Sequence, residues 1–170
     1  MQYILFTSVE SFVDEVDLIE KIFANDVDYL YVQKPYMNER QLERFLLSIP
    51  EEIRMKTFLC GFPSVAQEFS LAGFHQPLEW FIQNAGAALR ASGLLSVEVE
   101  CLGDLEKLSP EVRSKIFQVV VKNKPEEIPE NVFVVCDATE LSNDVPNRAI
   151  VSGIWEFADA VSAWRRLCLK

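Results

Sequence analysis

The sequence is short of the residues that most often carry chemistry. It has one histidine, His75, in 170 residues. Its four cysteines, Cys60, Cys101, Cys136 and Cys168, stand far apart, with no CxxC pair. A lone imidazole with no cysteine at ligand spacing excludes the usual zinc sets, so no metal ligand is assigned. Cys60, Cys101 and Cys136 lie within or beside apolar runs, where free cysteine behaves as a small hydrophobe, and structural disulfides are not expected. Glycine is scarce, with six in the chain and none between positions 104 and 152. No Walker-type phosphate loop and no nucleophile motif is present. Basic charge is also in deficit, with 16 Lys and Arg against 26 Asp and Glu, for a net charge of −10. Phosphate backbones and anionic lipid attract basic surfaces, so neither nucleic acid nor membrane is expected as a partner. A small anionic ligand stays open, because a local pocket can oppose the global charge. No apolar run is long enough to cross a bilayer. The opening Met1-Gln2-Tyr3-Ile4-Leu5-Phe6 is apolar but short and lacks a basic leader, so a cytoplasmic protein is expected.

What the chain does have is alternation. Length and a 49% apolar composition suit one domain with one sizeable core, spanning 1–170. Strand-like runs fall at 3–9, 27–32, 56–62, 72–75, 94–100, 115–121, 131–138 and 148–155. Between them lie amphipathic segments. Residues 11–26 read as a helix with Phe12, Val16, Ile19 and Phe23 near one face. Residues 38–49 read as a helix capped by Asn38, with Leu42, Phe45, Leu46 and Ile49 on its apolar side. Shorter or mixed helical segments fall at 64–71, 77–93 and 103–114, and a last helix at 156–170. The segment 122–130, "KNKPEEIPE", leaves little room for a helix. Alternating strands and helices imply a mainly parallel sheet. Eight strands suit a compact (β/α)₈ TIM-type barrel, and 170 residues against a typical length of about 250 require some helices to be shortened or missing. An open doubly wound sheet is the alternative.

Four pieces, in order, resemble one family. "YILFTS" (3–8) is similar to the opening strand of the thiamine-phosphate synthases and their relative, the thiazole tautomerase. "VDYLYVQKP" (27–35) resembles the second strand, which ends in an Arg-and-Lys cluster. "AGFH" (72–75) resembles the Gly-x-His signature of the fourth, and "AIVSGIW" (149–155) the last strand, which ends in Ser and a small residue. The resemblance covers the whole chain. It implies joining of a pyrimidine pyrophosphate to a thiazole phosphate at the C-terminal mouth of the barrel, with Mg²⁺ if the activity is retained.

The same resemblance names candidate residues and departures. Gln33 stands where the family has Arg, leaving Lys34 as the cation for the leaving group. Position 60–62 reads Cys-Gly-Phe where a polar pair is expected, and Gln76-Pro77-Leu78 replace an acid. Glu79 reads as a helix N-terminal acid. Ser152 and Gly153 form half of a phosphate cup, while Asp137 stands where its other half should lie. Lys122 and Lys124 sit in a loop too short for a lid. His75 is a candidate acid or base. The candidate catalytic residues are thus His75 and Lys34, and the candidate ligand-binding residues Gln33, Lys34, Lys122, Ser152 and Gly153. No cofactor is assigned.

Three readings follow. The first is a degenerate family member that binds a small phosphorylated or heterocyclic molecule. The second is an active synthase or tautomerase with a rebuilt site. The third is a non-catalytic interaction scaffold, with a homo-oligomer as one form. Trp155, Phe157 and Trp164 would belong to its interface, or else to the core.

Overall fold

The eight strands close on themselves. In the computed structural model, which describes residues 1–139 and 145–168, they run β1 (Gln2–Phe6), β2 (Tyr29–Val32), β3 (Thr57–Cys60), β4 (Gly73–Pro77), β5 (Leu94–Val99), β6 (Ile116–Val121), β7 (Val132–Asp137) and β8 (Asn147–Ser152). Each pairs in parallel with its neighbours in sequence, and β1 pairs with β8 from Gln2 opposite Asn147 to Leu5 opposite Ile150. That last pairing excludes the open sheet.

The strand period of two sorts the side chains. Ile4, Phe6, Tyr31, Phe58, Val120, Phe133 and Ala149 point inward and fill the barrel. Their neighbours Tyr3, Leu5, Leu30, Val32, Leu59, Val97, Val119 and Val121 point outward and form the larger core beneath the helices. With both faces of every strand covered, the strands read as nearly continuous apolar runs.

The helices are abbreviated, as the length requires. They are α1 (Glu15–Phe23), α2 (Glu39–Ser48), α3 (Glu51–Arg54), α4 (Pro63–Glu68), α5 (Leu78–Gln83), α6 (Ala85–Arg90), α7 (Pro110–Lys115) and α8 (Ala160–Cys168). Asn38 caps α2 in a reciprocal capping box with Gln41, each side chain taking the other's backbone N–H at 3.0 Å. No helix lies between β6 and β7.

Three expectations are corrected. The first helix begins at Glu15, not at position 11, because Asp14 takes a left-handed conformation (φ 65°) that stops helix propagation toward its N-terminal side. Its buried face is Glu15, Ile19 and Ile22, while Phe12 is partly exposed. The segment 77–93 is two helices, broken at Asn84 (φ −122°). The last helix begins at Ala160, not at position 156, and residues 169–170 lie outside the described residues.

Gly73 explains how β4 and β5 approach. A Cβ there would collide with the backbone carbonyl of Leu94, so only glycine lets the two strands pair at this point. Trp164 of α8 is fully buried against Tyr3, at 5.6 Å between ring centroids, and its indole N–H donates to the Asn25 carbonyl at 2.6 Å. Trp155 donates to the Phe6 carbonyl at 3.0 Å, and Phe157 packs on the same core. Trp164 thus belongs to the core, and Trp155 and Phe157 are partly buried against it. No helix among the described residues is long and apolar enough to cross a membrane.

Candidate site at the C-terminal mouth

Lys34 follows β2 by two residues, so the strand alternation that turns Leu30 and Val32 outward turns it outward too. Its ammonium is buried between β2 and α1, with side-chain exposure of 1%. It donates to both oxygens of Glu15, at 2.7 and 2.8 Å, to the Ser8 carbonyl at 2.7 Å and to the Glu10 carbonyl at 3.4 Å. The Phe45 ring lies 5.0 Å from it. Burial pulls the lysine down and pushes the Glu15 carboxyl up, and each opposes the other's shift. An ammonium so engaged is not a cation presented to the barrel mouth. The expected grip on a leaving group is absent from this geometry. Gln33 is likewise tied down: its side-chain amide donates to the Thr7 carbonyl at 2.9 Å and its backbone N–H to the Thr7 hydroxyl at 3.0 Å.

The turn that the resemblance marks as a phosphate cup is filled from within. Asp137, the last residue of β7, accepts from the Ser152 hydroxyl at 2.5 Å through Oδ2. Its Oδ1 accepts from the backbone N–H of Thr139 at 2.8 Å and from the Thr139 hydroxyl at 2.5 Å. These bonds, the one from Ser152 first, hold its carboxyl below the usual range. Gly153 has φ +83°, and a Cβ there would strike Asp137 Oδ1. The turn that could receive a phosphate instead receives the protein's own carboxylate.

Inside the barrel, three neighbouring strands bring polar side chains into line. The register sets His75 of β4 opposite Ser96 of β5, and Ser96 opposite Gln118 of β6. His75 Nδ1 lies 2.9 Å from Ser96 Oγ. Tyr31 reaches across from β2, its hydroxyl 2.7 Å from Ser96 Oγ and 2.7 Å from Gln118 Oε1. Tyr31 has one hydrogen to share between these two oxygens, and the direction of the His75–Ser96 bond follows the imidazole tautomer. Burial keeps His75 below its ordinary value, against the pull of Glu98, and holds the Tyr31 phenol protonated.

His75 Nε2 faces Glu98 Oε2 at 3.9 Å. Glu98 meets Lys122 at 3.2 Å, and Lys122 donates to Glu100 at 2.7 Å. His75 and Lys122 together hold the Glu98 carboxyl below its usual range. A pocket of about 410 Å³ opens here over β4, β5 and β6. It is lined by Pro77, Glu79, Glu98, Glu100, Asp104 and Lys122, among others. His75 stands behind Glu98 rather than at the pocket wall. Lys122 is at the mouth, but two carboxylates already neutralise it.

The site therefore divides the expected residues. Lys122 and Glu79 meet at the pocket, His75 lies one residue behind it, Ser152 and Gly153 surround Asp137, and Lys34 lies outside the barrel. Glu15, Ser96, Glu98 and Gln118 were not singled out from the sequence. The alternation in "LLSVEVE" (94–100) was the available signal, since it puts Ser96, Glu98 and Glu100 on one face. Nothing local marks Glu15 as the partner of a residue nineteen positions away.

The same closed barrel occurs in solved structures. A thiamine phosphate pyrophosphorylase from Bacteroides thetaiotaomicron superposes with TM-score 0.74 at 19% identity, over 99% of this chain and 96% of that one. One from Pyrococcus furiosus superposes with TM-score 0.71 at 11% identity, over 99% and 94%. The fold is the thiamine-phosphate-synthase barrel. No family model matches the sequence, and no curated protein does.

A synthase barrel that used Mg²⁺ would need oxygen ligands gathered at this mouth. Among the described residues, no group of three or more His, Cys, Asp or Glu side chains is placed to hold an ion. Glu98 and Glu100 are bridged by Lys122, and Asp137 is committed to Ser152 and Thr139. The described residues do not assemble a ligand set for the metal. Cys60 offers no nucleophile, since burial pushes its thiol far up.

Proposed function

We propose that the chain is a catalytically degenerate thiamine-phosphate-synthase-like barrel that binds a small heterocyclic molecule at its C-terminal mouth. The observation that carries this reading is Asp137, whose carboxylate takes the Ser152 hydroxyl and crowds Gly153. A phosphate entering the same turn would meet a fixed negative charge, so a phosphorylated ligand is disfavoured. The pocket beside Glu98 supports the heterocyclic choice. Four of its lining residues, Glu79, Glu98, Glu100 and Asp104, are acids, against Lys107 and Lys122. That balance favours a ring bearing a basic or amino nitrogen over an anion. The acidic net charge favours neither nucleic acid nor an anionic membrane as a partner, and a cytoplasmic protein is part of the proposal.

Two measurements test this. With pyrimidine pyrophosphate, thiazole phosphate and Mg²⁺ at high protein concentration, no thiamine phosphate should form; turnover would overturn the degenerate reading in favour of a rebuilt synthase. In calorimetry, 4-aminopyrimidine should give saturable heat that Glu98→Gln reduces, whereas pyrophosphate should give none. Heat with pyrophosphate alone would reject the assigned ligand class.

A further inference from the structure

The opposite end of the barrel holds a second cavity, of about 350 Å³, among the N-terminal ends of the strands. Its walls include Tyr29 at the start of β2, Phe117 and Gln118 at the start of β6, and Phe133 of β7, with Glu130 and Asn131 between β6 and β7. The aromatic rings are ordered against one another. Tyr29 meets Phe117 edge-on at 6.1 Å, and Phe58 lies nearly parallel to Phe117 at 6.4 Å. Phe117 is 39% exposed, unusual for a large apolar side chain set in a barrel strand.

One exposed phenylalanine signifies nothing by itself. Gln118 supplies the second observation. It is only 3% exposed, and its Oε1 is taken by Tyr31. Its Nε2 has no partner among the described residues, yet no fully buried side-chain nitrogen or oxygen among them goes unpartnered. The amide nitrogen must therefore keep a small accessible surface, and the cavity that Gln118 lines is where it can do so. A donor held at the bottom of an aromatic-walled cavity is the usual form of a small-molecule site, a mostly apolar cleft with a few fixed polar groups.

We propose that this N-terminal cavity binds a planar nitrogen heterocycle of one or two rings. Its ring acceptor takes the Gln118 Nε2–H, and its face lies on Phe117 and Tyr29. The volume suits a ligand of that size. No lysine, arginine or histidine lines the cavity, and Glu130 does, so a phosphate-bearing ligand is excluded in favour of a neutral or cationic ring. An exocyclic amine would find acceptors on Glu130 or Asn131. The site is separate from the pocket beside Glu98, yet joined to it through Gln118, Tyr31, Ser96 and His75. A heteroatom drawing on Gln118 polarises each hydroxyl along that line, as hydrogen-bond chains do. Occupancy at one mouth is thereby felt by the imidazole near the other.

Adenine is a suitable probe, since it carries ring acceptors, an exocyclic amine and a flat face. Titrated into ¹⁵N-labelled protein, it should move the Gln118 side-chain amide and the Phe117 and Tyr29 signals saturably, and shift the His75 ring nitrogens with the same midpoint. Phe117→Ala and Gln118→Leu should each weaken binding about tenfold, by loss of the stacking face and of the buried amide donor. Glu98→Gln, at the other mouth, should change this binding far less than either, because it reaches the cavity only through the hydrogen-bond line. Phe117 is partly exposed, so its replacement keeps the test open should Gln118→Leu disturb the barrel interior. No saturable shift up to the solubility limit overturns the proposal. So do shifts confined to the surroundings of Glu98 and Lys122, or unaltered affinity in Phe117→Ala.

Discussion

The Lys34 ammonium and the Glu15 carboxylate form a two-oxygen ion pair, at 2.7 and 2.8 Å, buried outside the barrel wall. It joins the end of β2 to the first turn of α1, so a cation at the end of a barrel strand serves here to hold a helix in place.

Breaking such a pair from one side leaves an unpaired buried charge. Glu15→Gln is expected to destabilise the fold by about 3 kcal/mol, and Lys34→Ala by a similar amount. The double variant Glu15→Leu with Lys34→Met should lose far less than the sum, because it buries no charge. Urea unfolding of the three variants checks this; additive losses would mean that the two groups act independently.

His75 is the single histidine, so its proton signal can be followed alone. Burial holds it neutral in the fold, and its titration should fall below the ordinary value of 6.5. Its folded value lies below its unfolded one, so the unfolded chain binds more protons between the two. Stability from this group is complete above about pH 6.5 and is lost as pH falls through the window beneath it. His75→Gln should flatten the change of melting temperature over that interval. An unaltered slope would place the sensitivity on the carboxylates instead.

Gly73, the one glycine within the described strands, should be hard to replace. Gly73→Ala drives a methyl into the Leu94 carbonyl and must part β4 from β5, at an expected cost of about 2 kcal/mol or more. The same change at Gly103, where a Cβ meets nothing within 4 Å, should be close to neutral. Thermal melts of the two variants side by side give the comparison.

Much of the barrel was legible in the sequence because its signals are local. β6 and β7 announce themselves by β-branched runs and the other strands by short apolar ones, and the Asn38 cap and the bare connection between β6 and β7 follow from neighbouring residues alone. The candidate site was legible only in outline. Gln33 and Asp137 were visible as departures and Ser152 and Gly153 as retained, but the direction of the Asp137 carboxylate depends on a hydroxyl fifteen residues away, on the next strand.

By itself the sequence determined the eightfold alternation, the shortened helices and the acidic balance, since periodicity and composition are properties of consecutive residues. Only the tertiary structure decided what each polar side chain does. Closing the sheet put His75, Ser96 and Gln118 side by side and brought Tyr31 across to them. The two-residue period turned Lys34 away from the mouth and toward Glu15. Those outcomes rest on register and on the facing of alternate residues, and a register is a relation between strands that no single strand contains.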